Sequence, residues 1–426
     1  MVIGKIDKPA QNSIVALAKL TESPPAAELM QIVQTVFGVF HHFELARELD
    51  RRGHLRRVYS TWPWARLKRE GLTREKVETF PWLHVPEYLA GRAPFDLTWL
   101  RDPLGYANAL AFDRWTERRL VRELKASRTK IDALIGISGS SLRAGALIQR
   151  QGGLFICDRG STHQRYQEHL LAGEFRRWGV DTPPSDPRDT RREEAIYAAC
   201  DAITVPSTMA ARSFAGMGVP PEKVHVIPYG VRLESFRPTA EPSPDTFDVL
   251  FAGAVGLRKG VPYLLEAFAN LRHPHKRLRI VGAVQEDIRA VLPSLPLENV
   301  EMLGSLPQPE LAALMSRSHV LALPSIEEGL ALVQAQAMAC GCPVLCSTNT
   351  GGEDLFTDGV EGFIVPIRDP AALTGRLQQL ADDPSLQRSM REAALQRVRS
   401  IGGWKEYGDR WENLLQTLTQ IRPHTL

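Results

Sequence analysis

The segment PSIEEGLALVQAQAMACGCPVLCS, residues 324–347, places an acidic residue at the predicted start of an apolar helix. The spacing of its apolar residues predicts a helix that begins just after Glu328 and ends at Gly341. Backbone N–H groups at a helix start, together with the helix dipole, can bind an anion such as a diphosphate. Glu328 can accept hydrogen bonds from sugar hydroxyls, although an acid at this position can also serve only the helix start. The candidate amides belong to Gly329, Leu330, Ala331 and Leu332.

A second candidate anion site lies in FAGAVGLRKGVPYLLEAF, where Arg258 and Lys259 stand in a glycine-flanked loop after a predicted strand. A basic pair before a helix is often only solvated, but this setting favours phosphate binding. The sequence has no Asp-x-Asp motif, so the carboxylates that usually hold a diphosphate-bound metal are missing. We therefore expect no metal and no cofactor, with the charge of a leaving diphosphate met by Arg258, Lys259 and the amides after Glu328.

Alternating strand and helix patterns must position these loops. From Met30 onwards, short apolar strands alternate with amphipathic helices, which predicts parallel sheets joined by right-handed crossovers. The Pro-rich stretch FRPTAEPSPDTF divides the pattern into two units of similar design. Because parallel sheets bind ligands at the carboxyl ends of their strands, we expect the site in a cleft between the two units.

The predicted organisation has four parts. Residues 1–29 carry no clear period and form an N-terminal extension, which is not native if translation starts downstream of Met1. Residues 30–236 form the first α/β domain and residues 245–403 the second. A last helix, residues 404–421, is expected to cross back onto the first domain.

The composition narrows the class of protein further. The chain has 52 Lys and Arg against 49 Asp and Glu, a net charge of +3, so nucleic acid is not an expected partner. The absence of a leader and of a stretch of roughly 20 apolar residues predicts a cytoplasmic protein. The five cysteines lack the spacing of a metal site and are predicted to be buried thiols. They are Cys157, Cys200, Cys340, Cys342 and Cys346.

Taken in order, these segments resemble the family 4 retaining glycosyltransferases, or glycosyl transferases group 1, of the GT-B fold. Residues 324–347 are similar to the family's Glu-x7-Glu signature, and FAGAVGLRKGVPYLLEAF is similar to its diphosphate loop. VIPYGVRLESFRP resembles the interdomain turn, and TGGEDLFTDGVEGFIVP the loop and strand after the signature. The resemblance implies two Rossmann-like, doubly wound parallel-sheet domains facing a cleft, the second of which binds a nucleotide-sugar donor. It implies donor-binding roles for Glu328, the amides of residues 329–332, Gln336, Gly253 and Gly304.

The sequence departs from the family pattern at two positions. Gln336 stands where the family usually has the glutamate that binds the ribose hydroxyls of the donor. A neutral amide can replace those hydrogen bonds but gives up their charge assistance, which predicts weaker donor binding. Ala254 stands where many members have an arginine, which leaves Arg258 and Lys259 as the cations of the loop.

Histidines contribute the remaining candidates. His163, in CDRGSTHQRYQ, resembles the family histidine that approaches the donor sugar, whereas Asp158 and Arg159 are expected to organise the turn. VFGVFHHFELA resembles the loop after the first strand, which implies an acceptor-side role for Gly38 and His41. The alternative is that the histidines here only begin a helix and that the neighbouring phenylalanines are core.

The resemblance implies a metal-independent hexosyltransferase that moves a hexose, with retention, from a nucleotide-diphosphate sugar to a saccharide or lipid-linked acceptor in glycan or cell-surface polysaccharide synthesis. Two alternatives stay open. One is a noncatalytic nucleotide-sugar-binding protein, suggested by Gln336 and Ala254, and the other is a UDP-sugar 2-epimerase. STWPWARLKRE and RWTERRLVRELKASRTK mix tryptophan with basic residues, a composition typical of a face on anionic membrane or of solvated helices.

Overall fold

The computed structural model of the chain describes residues 29–90, 97–127, 130–180 and 186–421. The predicted extension 1–29 therefore lies, except for Leu29, outside the described residues. Within the described part, the chain forms two parallel β-sheets with helices on both faces. This confirms the predicted class of two doubly wound α/β sheets.

The first sheet has seven strands among the described residues, in the order β3-β2-β1-β4-β5-β6-β7. Every neighbouring pair is parallel. Its central strands are apolar and fully buried, because helices cover both faces of the sheet. The strands are β1 (Ile32–Val36), β2 (Leu55–Ser60), β3 (Val77–Thr79), β4 (Ala133–Ile137), β5 (Leu154–Asp158), β6 (Ala202–Val205) and β7 (Val224–Val226).

The second sheet has six strands among the described residues, in the order β10-β9-β8-β11-β12-β13, again all parallel. In both sheets the chain starts in the middle, runs to one edge and then returns to the other side. That reversal creates the crevice at which doubly wound sheets bind ligands. The strands are β8 (Phe247–Ala252), β9 (Lys276–Val281), β10 (Val300–Gly304), β11 (Val320–Leu323), β12 (Val344–Ser347) and β13 (Gly362–Val365).

The α-helices of the described residues alternate with these strands. In the first half of the chain they are α1 (Phe40–Arg51), α2 (Trp64–Leu67), α3 (His84–Ala90), α4 (Thr98–Ser127), α5 (Leu142–Arg150), α6 (Gln164–Arg177), α7 (Pro187–Ala199) and α8 (Thr208–Gly216). In the second half they are α9 (Val261–Asn270), α10 (Glu286–Arg289), α11 (Gln308–Ser316), α12 (Leu332–Ala339), α13 (Pro370–Asp382), α14 (Pro384–Ile401) and α15 (Trp404–Ile421).

The last helix, α15, packs against α1 of the first sheet. Tyr407, Trp411 and Leu415 on α15 are buried in this contact. Arg52, which follows α1, donates hydrogen bonds to Glu412 at 3.1 Å and to Asp409 at 2.6 Å. The C-terminal end of the chain therefore joins the second sheet to the first by both apolar and charged contacts.

All five cysteines are buried and none forms a disulfide, in agreement with the prediction of buried thiols. Burial raises the pKa of Cys340 to about 11 and that of Cys346 to about 12, so both thiols stay protonated and unreactive at neutral pH. Among the residues that the structure describes, no helix combines the length and apolar character needed to cross a bilayer.

Candidate active site

Three loops meet at the carboxyl ends of the two sheets. They carry residues 158–163 after β5, residues 253–260 after β8 and residues 324–331 after β11. The first loop belongs to the first domain and contacts the third across the cleft, where Ser161 Oγ donates to Glu327 Oε1 at 2.7 Å. This meeting of strand ends from both sheets is the place where parallel α/β folds bind ligands.

Close backbone packing fixes the loop that carries the basic pair. Gly260 adopts a φ of 66°, and a Cβ at this position would lie 2.0 Å from the carbonyl oxygen of Pro324. Only glycine permits both the left-handed conformation and that approach. The Ile326 N–H also donates to the carbonyl of Arg258 at 2.8 Å. The loops after β8 and β11 are thereby locked side by side.

Both cations of the basic pair contact acidic residues of the neighbouring loop. Lys259 Nζ is hydrogen-bonded to Glu328 Oε1, and Arg258 Nε donates to Glu327 Oε2 at 2.9 Å. Arg258 Nη2 lies 3.8 Å from Glu328 Oε2, too far for a hydrogen bond. Ser325 Oγ donates to Glu328 at 3.1 Å. The structure thus brings together Arg258, Lys259 and Glu328, which the sequence analysis placed in one site.

The predicted helix start is wrong by several residues. Helix α12 begins at Leu332, with Ala331 as its N-cap, instead of directly after Glu328. The Ala331 N–H donates to the carbonyl of Thr350 at 3.2 Å, so this amide is not free for an anion. The reason is that the chain stays extended after Glu328 to pair with the loop that follows β12. The Ala331 amide is therefore removed from the predicted anion-binding site, while the amides of Gly329, Leu330 and Leu332 remain candidates.

Gly329 lies where the two domains touch. A Cβ on Gly329 would stand 2.1 Å from the carbonyl oxygen of Gly160 in the first domain. Ser207 Oγ, also from the first domain, donates to the Gly329 carbonyl at 2.5 Å. Glycine is required here by a close approach of backbones, a role that the sequence analysis did not foresee.

The other predicted donor-binding residues lie in the loop after β8, on α12 and at the end of β10. Gly253 adopts a φ of 157°, and a Cβ there would lie 3.8 Å from Lys259 Cε. Gln336 is half-buried on α12, and its side chain makes no hydrogen bond to any other residue that the structure describes. Ala254 is exposed at the start of the loop. Gly304 ends β10, where its carbonyl accepts a hydrogen bond from the Gly282 N–H at 2.8 Å.

His163 occupies a structural position inside the first domain. Its Nδ1 accepts a hydrogen bond from the Arg165 N–H at 3.2 Å and caps α6. The ring packs between Tyr197 and Phe214, with centroids 4.9 and 5.0 Å away, and burial lowers its pKa to about 4. The imidazole of His163 therefore packs among side chains of its own domain, and the predicted sugar contact stays a prediction.

His41 and His42 instead form a cluster with Asp158, which sequence reasoning assigned only to a turn. His41 Nε2 and His42 Nδ1 each lie 3.1 Å from Asp158 Oδ2. Thr204 Oγ1 donates to the other oxygen at 3.1 Å. Burial, reinforced by His42, lowers the pKa of His41 to about 4. Although burial opposes ionisation of Asp158, the two imidazoles hold its pKa below the usual range.

This cluster lines a cavity of about 490 Å³ in the first domain. Its lining includes the polar side chains of Ser138, Ser161 and Gln164. Gly38, predicted on the acceptor side together with His41, lies in the bend between β1 and α1 and is half-buried. Within the described residues, one group of three, namely His41, His42 and Asp158, has the spacing to hold a metal ion.

Glu327 is the site residue that sequence reasoning missed most clearly. It is completely buried and accepts hydrogen bonds from both domains. The available signal was its place directly before Glu328 in the loop after β11.

Two family models match the chain. One, described as Glycosyltransferase Family 4, matches residues 39–235, and the other, described as Glycosyl transferases group 1, matches residues 234–397. D-inositol 3-phosphate glycosyltransferase 1 of Catenulispora acidiphila is 31% identical over 291 residues, which cover 63% of this chain and 68% of the relative.

Solved structures show the same fold at lower identity. Sucrose-phosphate synthase from Thermosynechococcus elongatus superposes with a TM-score of 0.69 at 19% identity, covering 92% of this chain and 100% of the synthase chain. HepE of Anabaena, in complex with UDP-glucose, gives a TM-score of 0.63 at 16% identity and covers 91% and 100%. The two sheets and these neighbours together establish the GT-B fold predicted from the sequence.

Proposed function

We propose that this chain, which belongs to the group 1, family 4 glycosyltransferases of the GT-B fold, is a retaining hexosyltransferase. The donor is a nucleotide-diphosphate sugar, and the acceptor is a saccharide or lipid-linked saccharide in glycan or cell-surface polysaccharide synthesis. The observation that carries the proposal is the position of Arg258 and Lys259 beside Glu328 at the carboxyl end of the second sheet. Fixed cations at that edge of a doubly wound sheet suit a diphosphate.

The cations stabilise the leaving group. As the bond between the anomeric carbon and the diphosphate oxygen breaks, its electron pair passes to the diphosphate, and Lys259 and Arg258 offset the growing negative charge. The acceptor hydroxyl oxygen forms the new bond on the same face of the sugar, and its proton passes to the departing oxygen. Glu328 accepts hydrogen bonds from the sugar hydroxyls, with donor contacts from Gly253, Gly304, Gln336 and the amides of Gly329, Leu330 and Leu332.

We propose that the reaction needs no metal ion or cofactor, since two protein cations stand where a diphosphate-bound metal would act. The His41, His42 and Asp158 group is the place to test this proposal, because it has metal-ligand spacing. Turnover that survives dialysis against EDTA supports the proposal. Activity that is lost with EDTA and restored by a divalent cation contradicts it.

The cavity beside His41 is the proposed acceptor site. It lies in the first domain, its lining includes Ser161 of the cleft loop, and it offers hydroxyl, amide and charged groups to a polyhydroxylated ligand. His41 lines this cavity, and Gly38 lies in the bend that precedes it. In this role His41 only has to form hydrogen bonds with the acceptor, because residues of the second domain assist departure of the leaving group.

We also propose a cytoplasmic protein that can rest on the inner face of an anionic membrane. Five unpaired cysteines suit a reducing compartment. The tryptophans Trp62 and Trp64 are half-buried beneath Arg66 and Arg74, but Trp82 and Leu89 are 75% and 61% exposed near the cavity. Sedimentation with anionic liposomes at low salt tests this contact, and no binding there removes it.

The noncatalytic alternative is favoured by two observations, the neutral Gln336 and the exposed Ala254 in the donor site. Thermal stability measured with a panel of UDP, GDP and dTDP, each with and without sugar, distinguishes a transferase from a noncatalytic binding protein. Stabilisation by one nucleotide series together with sugar transfer to an added saccharide supports the transferase. Stabilisation without transfer or hydrolysis supports a binding protein. If no nucleotide stabilises the protein, both functions are contradicted.

A further inference from the structure

Glu327 lies directly before Glu328, and its side chain is 0% exposed. Hydrogen bonds reach it from both sides of the cleft. The first-domain donors are Thr162 Oγ1 at 2.6 Å, Ser161 Oγ at 2.7 Å and Gln167 Nε2 at 2.7 Å, and the second-domain donor is Arg258 Nε at 2.9 Å. Three of its four side-chain donors therefore belong to the opposite domain.

The carboxylate of Glu327 is ionised in this setting. Burial alone would raise its pKa, but the charge of Arg258 and the hydrogen bonds from Thr162, Ser161 and Gln167 lower it to about 2. A buried carboxylate is tolerated only when it is paired and hydrogen-bonded. The buried charge of Glu327 is therefore stabilised jointly by Arg258 of its own domain and by the loop of the first domain.

Glu327 also fixes the orientation of Arg258. It binds the guanidinium at Nε, while Arg258 Nη2 remains 3.8 Å from Glu328, and the side chain is 38% exposed. No other side-chain hydrogen bond of Arg258 is present within the described residues. The two terminal nitrogens of the guanidinium therefore have no side-chain hydrogen bond among the described residues, so they can bind an anion.

The contact lies beside a close approach of the two backbones. Ser161 and Thr162 follow Gly160, whose carbonyl leaves no room for a side chain on Gly329. Any opening of the cleft at this point must separate Ser161, Thr162 and Gln167 from Glu327. Cleft opening and the environment of Arg258 are therefore physically linked.

We propose that Glu327 is a positioning residue that couples closure of the cleft to the orientation of Arg258. In the closed state it binds the Ser161–Thr162 turn and Gln167 and aims Arg258 at the diphosphate of the donor. In the open state it loses those donors and no longer holds Arg258 in one orientation. The inference rests on the proposed function, because it assigns Arg258 to the leaving group.

Glu327→Gln keeps the shape of the side chain and removes its charge. Dyes at Glu222→Cys and Glu286→Cys, exposed positions in the two domains, report closure by energy transfer. The closed-to-open ratio is expected to fall about tenfold in Glu327→Gln, with about a tenfold loss of kcat and a donor KM within about threefold of wild type. Unchanged closure, or changed closure with unchanged kcat, overturns the proposal.

A second experiment changes the residues of the first domain that contact Glu327. A double variant, Ser161→Ala with Thr162→Val, is expected to reproduce both losses, and adding Glu327→Gln to it should cost little more because the groups act as one unit. Fully additive losses contradict the coupling. Glu353→Gln is the matched control, since its ion pair with Arg212 also bridges the domains but is partly exposed. Its closure and kcat are expected to stay within about twofold of wild type.

The closure measurement needs no substrate. If wild-type protein transfers no sugar but Glu327→Gln still shifts the closure equilibrium, the proposed transferase function fails while the contact role of Glu327 stands. If wild-type protein is an active transferase and Glu327→Gln behaves like Glu353→Gln, the coupling fails and the function stands.

Discussion

At the scale of single residues, acidic side chains of the cleft hold its two basic side chains in place. Lys259 contacts Glu328, and Arg258 is bound at one edge by Glu327. Such pairing keeps the cations oriented without a bound ligand, and preorganised charge loses little on reorganisation when a diphosphate departs.

Gln336 gives the first residue-scale prediction. Gln336→Glu is expected to lower the donor Kd about fivefold, because a carboxylate accepts ribose hydroxyl hydrogen bonds with charge assistance worth about 1 kcal/mol. Isothermal titration with the nucleotide sugar found in the panel measures this. An unchanged Kd would show that Gln336 does not contact the donor.

Gly329 gives the second residue-scale prediction. Gly329→Ala places a methyl group 2.1 Å from the Gly160 carbonyl oxygen, so the cleft loops must separate and turnover should fall at least about tenfold. The matched control is Gly375→Ala on helix α13, where a Cβ meets no atom within 4 Å. The control is expected to stabilise the protein slightly and leave turnover intact. Full activity in Gly329→Ala would mean that this close approach is not needed for catalysis.

At the scale of elements, the sequence predicted the strands better than the helix starts. Apolar strands such as β1 and β8 are buried on both faces, so their pattern is strong. The start of α12 was predicted too early, because Ala331 pairs with Thr350, a residue of another loop, and local helix signals cannot report such a partner. The surroundings of His163 were beyond the sequence for a related reason: its position after a strand suggested a ligand contact, whereas its ring packs against Tyr197 and Phe214 from later helices.

The cap of α6 yields a pH prediction. The pKa of His163 falls from 6.5 to about 4 on folding, so between these values the unfolded chain binds a proton that the folded chain does not. Stability should therefore decrease as pH falls from 6.5 towards 4, by up to about 1.4 kcal/mol per pH unit for this group. His163→Asn keeps a capping acceptor and removes the titrating ring, so its stability should depend less on pH.

Urea unfolding at several pH values between 4 and 7 measures this slope. His275→Asn is the control, because His275 is exposed and its replacement should leave the slope as in wild type. A slope in His163→Asn equal to that of wild type would place the proton uptake elsewhere.

At the scale of the whole molecule, two doubly wound sheets are held together by the cleft loops and by α15. Sequence patterns were sufficient for the two sheets and for the identity of Arg258, Lys259 and Glu328 as neighbours. They were insufficient for Glu327 and Asp158, whose partners come from distant parts of the chain. Contacts such as Thr162 with Glu327 span 165 residues and depend on how the domains meet.

The tail helix gives the prediction at this scale. Trp411 on α15 is 0% exposed, so Trp411→Ala should destabilise the protein by about 3–5 kcal/mol and loosen α15 from the first domain. Trp82→Ala is the control, since Trp82 is 75% exposed and its loss should change stability by about 0.5 kcal/mol or less. Thermal unfolding compares the two variants, and equal melting temperatures would show that α15 does not hold the domains.

The central claim is that fixed positive charge in the cleft receives the diphosphate of the donor. Its most direct test is the Kd of the nucleoside diphosphate selected by the panel, measured by titration calorimetry for wild type, Lys259→Ala and Lys405→Ala. Lys405 is exposed on α15 and does not belong to the three loops of the candidate site. The account predicts about thirtyfold weaker binding for Lys259→Ala, as expected for one charge-assisted contact, and no change for Lys405→Ala. Binding by Lys259→Ala within about twofold of wild type would contradict it.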